Sequence, residues 1–132
     1  MAKGAAKLAD RLLSYDEEAP EIRGRLNEGA LLVFSLCSES CQACAEWWGV
    51  LAAAAKRRPE FCFVWCDPAE HPDVVAEMSG LGRYPTVLIQ SLQGVHFQGF
   101  LAKAEVLHKL LEDLPAVLPV PDPHVRDFLM EP

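Results

Sequence analysis

Between Gly29 and Cys37 the chain reads Ala30-Leu31-Leu32-Val33-Phe34-Ser35-Leu36, a short and almost unbroken apolar run. Bounded by a glycine on one side and by Ser and Cys on the other, such a run is how a strand buried on both faces of a mixed or parallel sheet is written. A strand of that kind needs helices on either side of its sheet, which points to a layered α/β domain. The chain has 132 residues, 51% hydrophobic and 23% charged, which suits one domain with one buried core.

The flanking segments fit that layout. Gly4 to Tyr15 spaces Leu8, Leu12 and Leu13 as an amphipathic helix does, with a short strand over Arg11 to Tyr15 as the alternative. Acids at Asp16 to Glu18 precede a helix over Glu21 to Glu28 that Gly29 stops. The alanine-rich stretch Ala45 to Arg58 reads as a helix ended by Pro59. A β-rich run follows at Phe61 to Cys66, a short helix at Asp73 to Met78, and strands at Thr86 to Gln90 and Val95 to Phe100. Lys103 to Leu114 carries Val106, Leu107, Leu110, Leu111 and Leu114 on one helical face. Strands separated by helices predict crossover connections, and the last two strands, joined by a tight turn, must be antiparallel. The expected domain spans 1–114, with a Pro-rich extension over 115–132 packed on it, in which Asp122-Pro123 caps a short helix through Met130.

Composition narrows the function. A net charge of −7 argues against a nucleic-acid backbone as partner. The longest apolar stretches fall short of the ~20 residues of a spanning helix, and charges at Lys7, Asp10 and Arg11 interrupt any secretory h-region, so neither membrane nor export is expected. Five cysteines without a disulfide-framework spacing predict free thiols plus one redox or metal site in a reducing, cytoplasmic setting.

Cys41-Gln42-Ala43-Cys44 is the chemically informative segment, because it follows the buried strand and opens a helix. Backbone N–H groups at a helix start and the helix dipole favour a thiolate on the first cysteine, and the second lies about one turn in. In that arrangement Cys41 attacks a disulfide and Cys44 resolves the mixed disulfide that forms.

Taken with the order of elements, these residues resemble the thioredoxin superfamily from about Glu21 to Leu114. Leu31-Leu32-Val33-Phe34 is similar to its central strand, Cys41-Gln42-Ala43-Cys44 to its redox motif, and Gly82-Arg83-Tyr84-Pro85-Thr86 to its cis-proline loop. Gly94 and Gly99 match the glycines of its final hairpin. The resemblance implies a central mixed sheet of about four to five strands flanked by helices on both faces. It also implies thiol–disulfide exchange with protein disulfides and a substrate-binding shelf at Tyr84, Pro85 and Thr86. A thiol reductase or other redox partner follows from it, with no bound cofactor and no metal. The departures are specific: Ser40 precedes the first cysteine, Gln42-Ala43 separates the pair, Ser35 stands where many thioredoxins place a buried acid, and Gly49 replaces a helix-kinking proline. Loss of the acid removes the usual proton relay of the resolving thiol. A protein-binding or chaperone module on the same fold, with little redox turnover, is the alternative function.

Cys37 admits several readings. Cys37-x3-Cys41-x2-Cys44 has the spacing of the radical-SAM iron–sulfur motif, but the chain is too short for the barrel such enzymes use. A third thiol that regulates the pair and a simple core cysteine are the other two. Cys62 and Cys66 alternate along a strand, so both face one side with Val64, and core packing is preferred over zinc.

Overall fold

The computed structural model describes residues 12–38, 41–78 and 83–131. Its elements are β1 (Leu13–Ser14), α1 (Tyr15–Asn27), β2 (Leu32–Leu36), α2 (Gln42–Arg57) and β3 (Cys62–Cys66), followed by α3 (Pro72–Glu77), β4 (Thr86–Ser91), β5 (Gly94–Phe100), α4 (Ala104–Glu112) and α5 (Val125–Met130). The expected helix over Gly4 to Tyr15 lies mostly outside the described residues; its end forms the alternative, a short strand at Leu13–Ser14.

α1 begins six residues before the expected start at Glu21. Ser14 is its N-cap, Asp16, Glu17 and Glu18 occupy the first turn, and Glu18 leaves helical geometry at φ −132°. That break puts Pro20 in the opening turn of the following helical segment, where its missing N–H costs nothing. The C-terminus closes by a Schellman pattern: Gly29 N–H donates to the Leu26 carbonyl at 2.9 Å and Ala30 N–H to the Arg25 carbonyl at 3.3 Å. Gly29 supplies the φ of +90° that this closure needs, and the chain turns directly into β2.

The five-stranded sheet has the order β1-β3-β2-β4-β5. β2 is central, parallel to β3 through Leu32↔Cys62 and Leu36↔Cys66, and antiparallel to β4 through Leu32↔Gln90 and Leu36↔Thr86. β1 pairs parallel with β3, and β5 antiparallel with β4. Alternation along β2 divides the core. Leu32, Phe34 and Leu36 join Ile22 and Leu26 of α1 and Val125 and Leu129 of α5 on one face. Leu31, Val33 and Cys37 join Cys44, Trp47 and Leu51 of α2 and Leu107 and Leu111 of α4 on the other. The sheet is thus mixed and covered by helices on both faces. Cys62, Val64 and Cys66 pack together on the α1 side.

Beyond α4 the chain returns along β5. Leu118 N–H donates to the Val95 carbonyl at 2.7 Å, and the Arg126 guanidinium donates to the Leu26 carbonyl at 2.8 Å. α5 opens at His124, which takes left-handed backbone (φ 61°) as N-cap, rather than at the expected Asp122-Pro123. Asp122 still contributes, its carboxylate accepting from His124 N–H at 2.8 Å.

The contact between hairpin and return segment is testable at Gly94. Its φ is +145°, and a Cβ there would meet Val117 Cγ1 at 2.7 Å. Gly94→Ala is expected to cost about 1–3 kcal/mol in denaturant unfolding, and adding Val117→Ala should recover only the collision part of that loss.

Candidate functional site

The site forms where β2 ends and α2 begins. Cys37 follows the last residue of β2, fully buried, and its N–H extends the parallel ladder by donating to the Cys66 carbonyl at 3.1 Å. Its parity with Val33 and Ser35 aims it at the α2 face. Cys41 is the N-cap of α2 with extended backbone (φ −94°, ψ 120°) and is half-buried. Cys44 lies in the first turn, 1% exposed, and its N–H donates to the Cys41 carbonyl at 3.1 Å. α2 therefore starts three residues ahead of the expected Ala45. No acid stands in its first turn, so the positive end of the helix faces Cys41 without a competing carboxylate there.

Across from Cys41 lies the loop that leads into β4. The Tyr84–Pro85 peptide is cis. The Cys41 thiol donates to the Tyr84 carbonyl across 3.7 Å, a sulfur hydrogen bond that joins the helix start to the loop. Three contacts hold the loop: Leu101 N–H donates to the Pro85 carbonyl at 3.2 Å, the Thr86 hydroxyl donates to the Arg83 carbonyl, and the Arg83 guanidinium stacks 4.1 Å above the Phe100 ring. Pro85 and Thr86 are buried and Tyr84 is half-buried against both core clusters. Cys41, Cys44, Tyr84 and Pro85, named from sequence, thus converge on one region, with Thr86 behind it as the first residue of β4.

The cysteine bonding differs from expectation. Cys44 is joined by a disulfide to Cys37, with Cα atoms 5.5 Å apart, and Cys41 is a free thiol. The reason is geometric. The side chain of Cys37 points into the layer between sheet and α2, which is where the first turn of α2 places Cys44, so the two meet without backbone displacement. The signal was present in the sequence: residues 31, 33, 35 and 37 share one strand face, and the position one turn into the next helix faces the same layer.

Electrostatics separate the thiols. In their dithiol forms, burial pushes Cys37 far up, with the Cys44 thiol beside it adding to the effect. Burial also raises Cys44, whose neighbours include the thiols of Cys37 and Cys41 and the Ser38 backbone. Ser35 is fully buried and accepts from the Trp47 indole N–H at 3.2 Å. That hydroxyl anchors α2 to β2. Trp48, the next residue of α2, is 50% exposed and meets the Trp65 ring edge-on at 6.4 Å.

A mixed five-stranded sheet in the order β1-β3-β2-β4-β5 with helices on both faces is the thioredoxin-like fold. Solved structures share it at low identity. A mutant thioredoxin from Halobacterium salinarum superimposes with a TM-score of 0.67 at 14% identity, covering 84% of this chain and 96% of that one. A thioredoxin from Nicotiana alata matches with a TM-score of 0.65 at 21% identity, covering 80% and 94%. A thioredoxin f2 structure in complex with ferredoxin:thioredoxin reductase matches with a TM-score of 0.64 at 17% identity, covering 78% and 94%. No protein-family model and no curated protein sequence matches the chain. Among the described residues, no helix is long and apolar enough to cross a membrane.

The remaining cysteines yield a pH prediction. Burial, first of all, pushes the thiols of Cys62 and Cys66 up to about 12. Above pH ~9 the unfolded chain loses these protons while the native protein keeps them, so stability falls with rising pH until about 12. The expected slope is about 1.4 kcal/mol per pH unit for each thiol. Urea unfolding of the reduced protein between pH 9 and 11 checks this, and Cys62→Ala should flatten the slope by one thiol's share.

Proposed function

We propose that the protein is a thiol–disulfide oxidoreductase of thioredoxin type that acts on protein disulfides. One observation carries the reading: Cys41, alone among the cysteines of its motif, is a partly accessible thiol, set at the N-terminus of α2 and facing the Tyr84 carbonyl. Cys41 is the nucleophile, and Cys44, in the first turn of the helix that Cys41 caps, resolves the mixed disulfide once it is in its thiol form. The Tyr84-Pro85-Thr86 segment is the shelf for an extended substrate segment, bound through backbone hydrogen bonds as an added strand. On this reading the half-buried side chain of Tyr84 is the apolar part of that shelf.

In chemical terms, the Cys41 thiolate attacks one sulfur of a substrate disulfide and expels the other as a thiolate. The Cys44 thiolate then attacks Cys41 and releases the remaining substrate sulfur. The oxidised protein is returned to its dithiol form by a reductase or another dithiol. The thioredoxin f2 seen with ferredoxin:thioredoxin reductase supports a reductase as the kind of partner. Ser35, committed to Trp47, gives Cys44 no carboxylate relay. That favours slower turnover than a thioredoxin with a buried acid, and it is the observation on which a binding-module reading draws. We read the segment over 115–132 as an extension of the catalytic domain over 1–114, and a reducing compartment such as the cytoplasm as its setting.

Insulin reduction in the presence of dithiothreitol tests the reading. Cys41→Ser is expected to lower the rate by about 10²-fold or more, to the uncatalysed background. Cys44→Ser should leave Cys41 able to form a mixed disulfide that persists and is captured by mass spectrometry. Full activity in Cys41→Ser would remove the oxidoreductase reading and leave the binding module.

A further inference from the structure

We propose that Cys37 is a third working thiol of the site: it takes the disulfide over from the Cys41–Cys44 pair, stores it against the core as Cys37–Cys44, and restores Cys41 as a free thiol. This rests on the reading of Cys41 and Cys44 given above and adds a step to it.

Geometry carries the proposal. Cys44 stands between two partners. Its sulfur is bonded to Cys37 in this structure, while Cys41 caps the same helical turn, its carbonyl accepting from the Cys44 N–H. Both arrangements use the same helical turn. The 5.5 Å between the Cα atoms of Cys37 and Cys44 suits a disulfide, and the Cys44 N–H to Cys41 carbonyl bond holds the other pair close. Cys37 and Cys44 are 0% and 1% exposed, whereas Cys41 reaches the surface beside Tyr84. Among the described residues, Cys41 is thus the motif cysteine through which an external thiol meets the stored disulfide.

The step balances internally. Cys37 gives up its proton and its sulfur attacks Cys44; the Cys37–Cys44 bond forms as the Cys41–Cys44 bond breaks, and Cys41 leaves as a thiolate that takes the proton. One disulfide is exchanged for another, with no oxidant or reductant consumed. The direction follows from solvation. A thiolate on Cys37 is disfavoured by burial, so Cys37 leaves poorly once it is bonded to Cys44. Cys41 leaves at a helix N-terminus in contact with water. Reactivation runs in reverse: Cys41 attacks Cys44, Cys37 is released, and a dithiol reductant then attacks Cys41. The oxidised protein thus keeps its nucleophile.

Peptide mapping decides the matter, because cleavage after glutamate places Cys37 in peptide 29–39 and both Cys41 and Cys44 in peptide 40–46. Reduced wild-type protein is oxidised with oxidised glutathione, quenched in acid, blocked with N-ethylmaleimide in denaturant and cleaved. The expected product is the two peptides joined, with the maleimide on Cys41. A disulfide internal to 40–46, with Cys37 blocked, overturns the proposal. In a second arm, the oxidised protein is treated natively with iodoacetamide to cap Cys41 and then reduced with dithiothreitol. Capping is expected to slow reduction at least about tenfold, and equal rates overturn the proposal. Insulin turnover is read separately. An active enzyme with an internal 40–46 disulfide defeats the transfer step alone, whereas joined peptides in a protein inactive on insulin defeat the oxidoreductase reading alone.

Discussion

β2 is paired along both edges and packed on both faces, and the rest of the molecule is arranged around that double burial. Its backbone groups are met by β3 on one side and β4 on the other, so its apolar side chains can enter both core layers without leaving polar groups unpaired. The period of two then sends Leu32, Phe34 and Leu36 towards α1 and α5, and Val33, Ser35 and Cys37 towards α2. Because β2 is fixed from four directions, its exit is fixed too. Cys37, the start of α2 and the motif thiols inherit their positions from it.

The site combines a soft end of a helix with a hard end of a sheet. Cys41 caps α2 with extended backbone, where unpaired N–H groups gather. Opposite, the Tyr84–Pro85 segment is held by Leu101, by the Thr86 hydroxyl and by the stacking of Arg83 on Phe100. Cys41 therefore faces a surface braced by β5, with only part of its side chain reaching the surface. Ser35 shows how a buried polar position in β2 is satisfied without a charge. A buried carboxylate there would need a proton or a cation, whereas the hydroxyl is satisfied by the Trp47 indole and fastens helix to strand.

Much of this was legible in the sequence because the relevant signals are local. The apolar run at 30–36, the Gly29 stop, the alanine-rich helix and the amphipathic stretch at 103–114 each announce their own element. Boundaries moved where local signals compete. α1 starts at Tyr15 because a break at Glu18 absorbs Pro20, and α2 starts at Gln42 because the motif itself supplies its first turn. α5 begins on a left-handed His124, a conformation that side-chain type alone does not announce.

Sequence by itself determined the mixed α/β layering, the place of the motif at a strand-to-helix junction and the loop at Tyr84-Pro85, since periodicity and punctuation act over a few residues. Tertiary structure decided which sulfur Cys44 bonds, how accessible each thiol is, and that Cys41 meets the Tyr84 carbonyl across 3.7 Å. Those outcomes depend on distances between side chains from different elements, and such distances are set only when the strand and the helix pack their faces together.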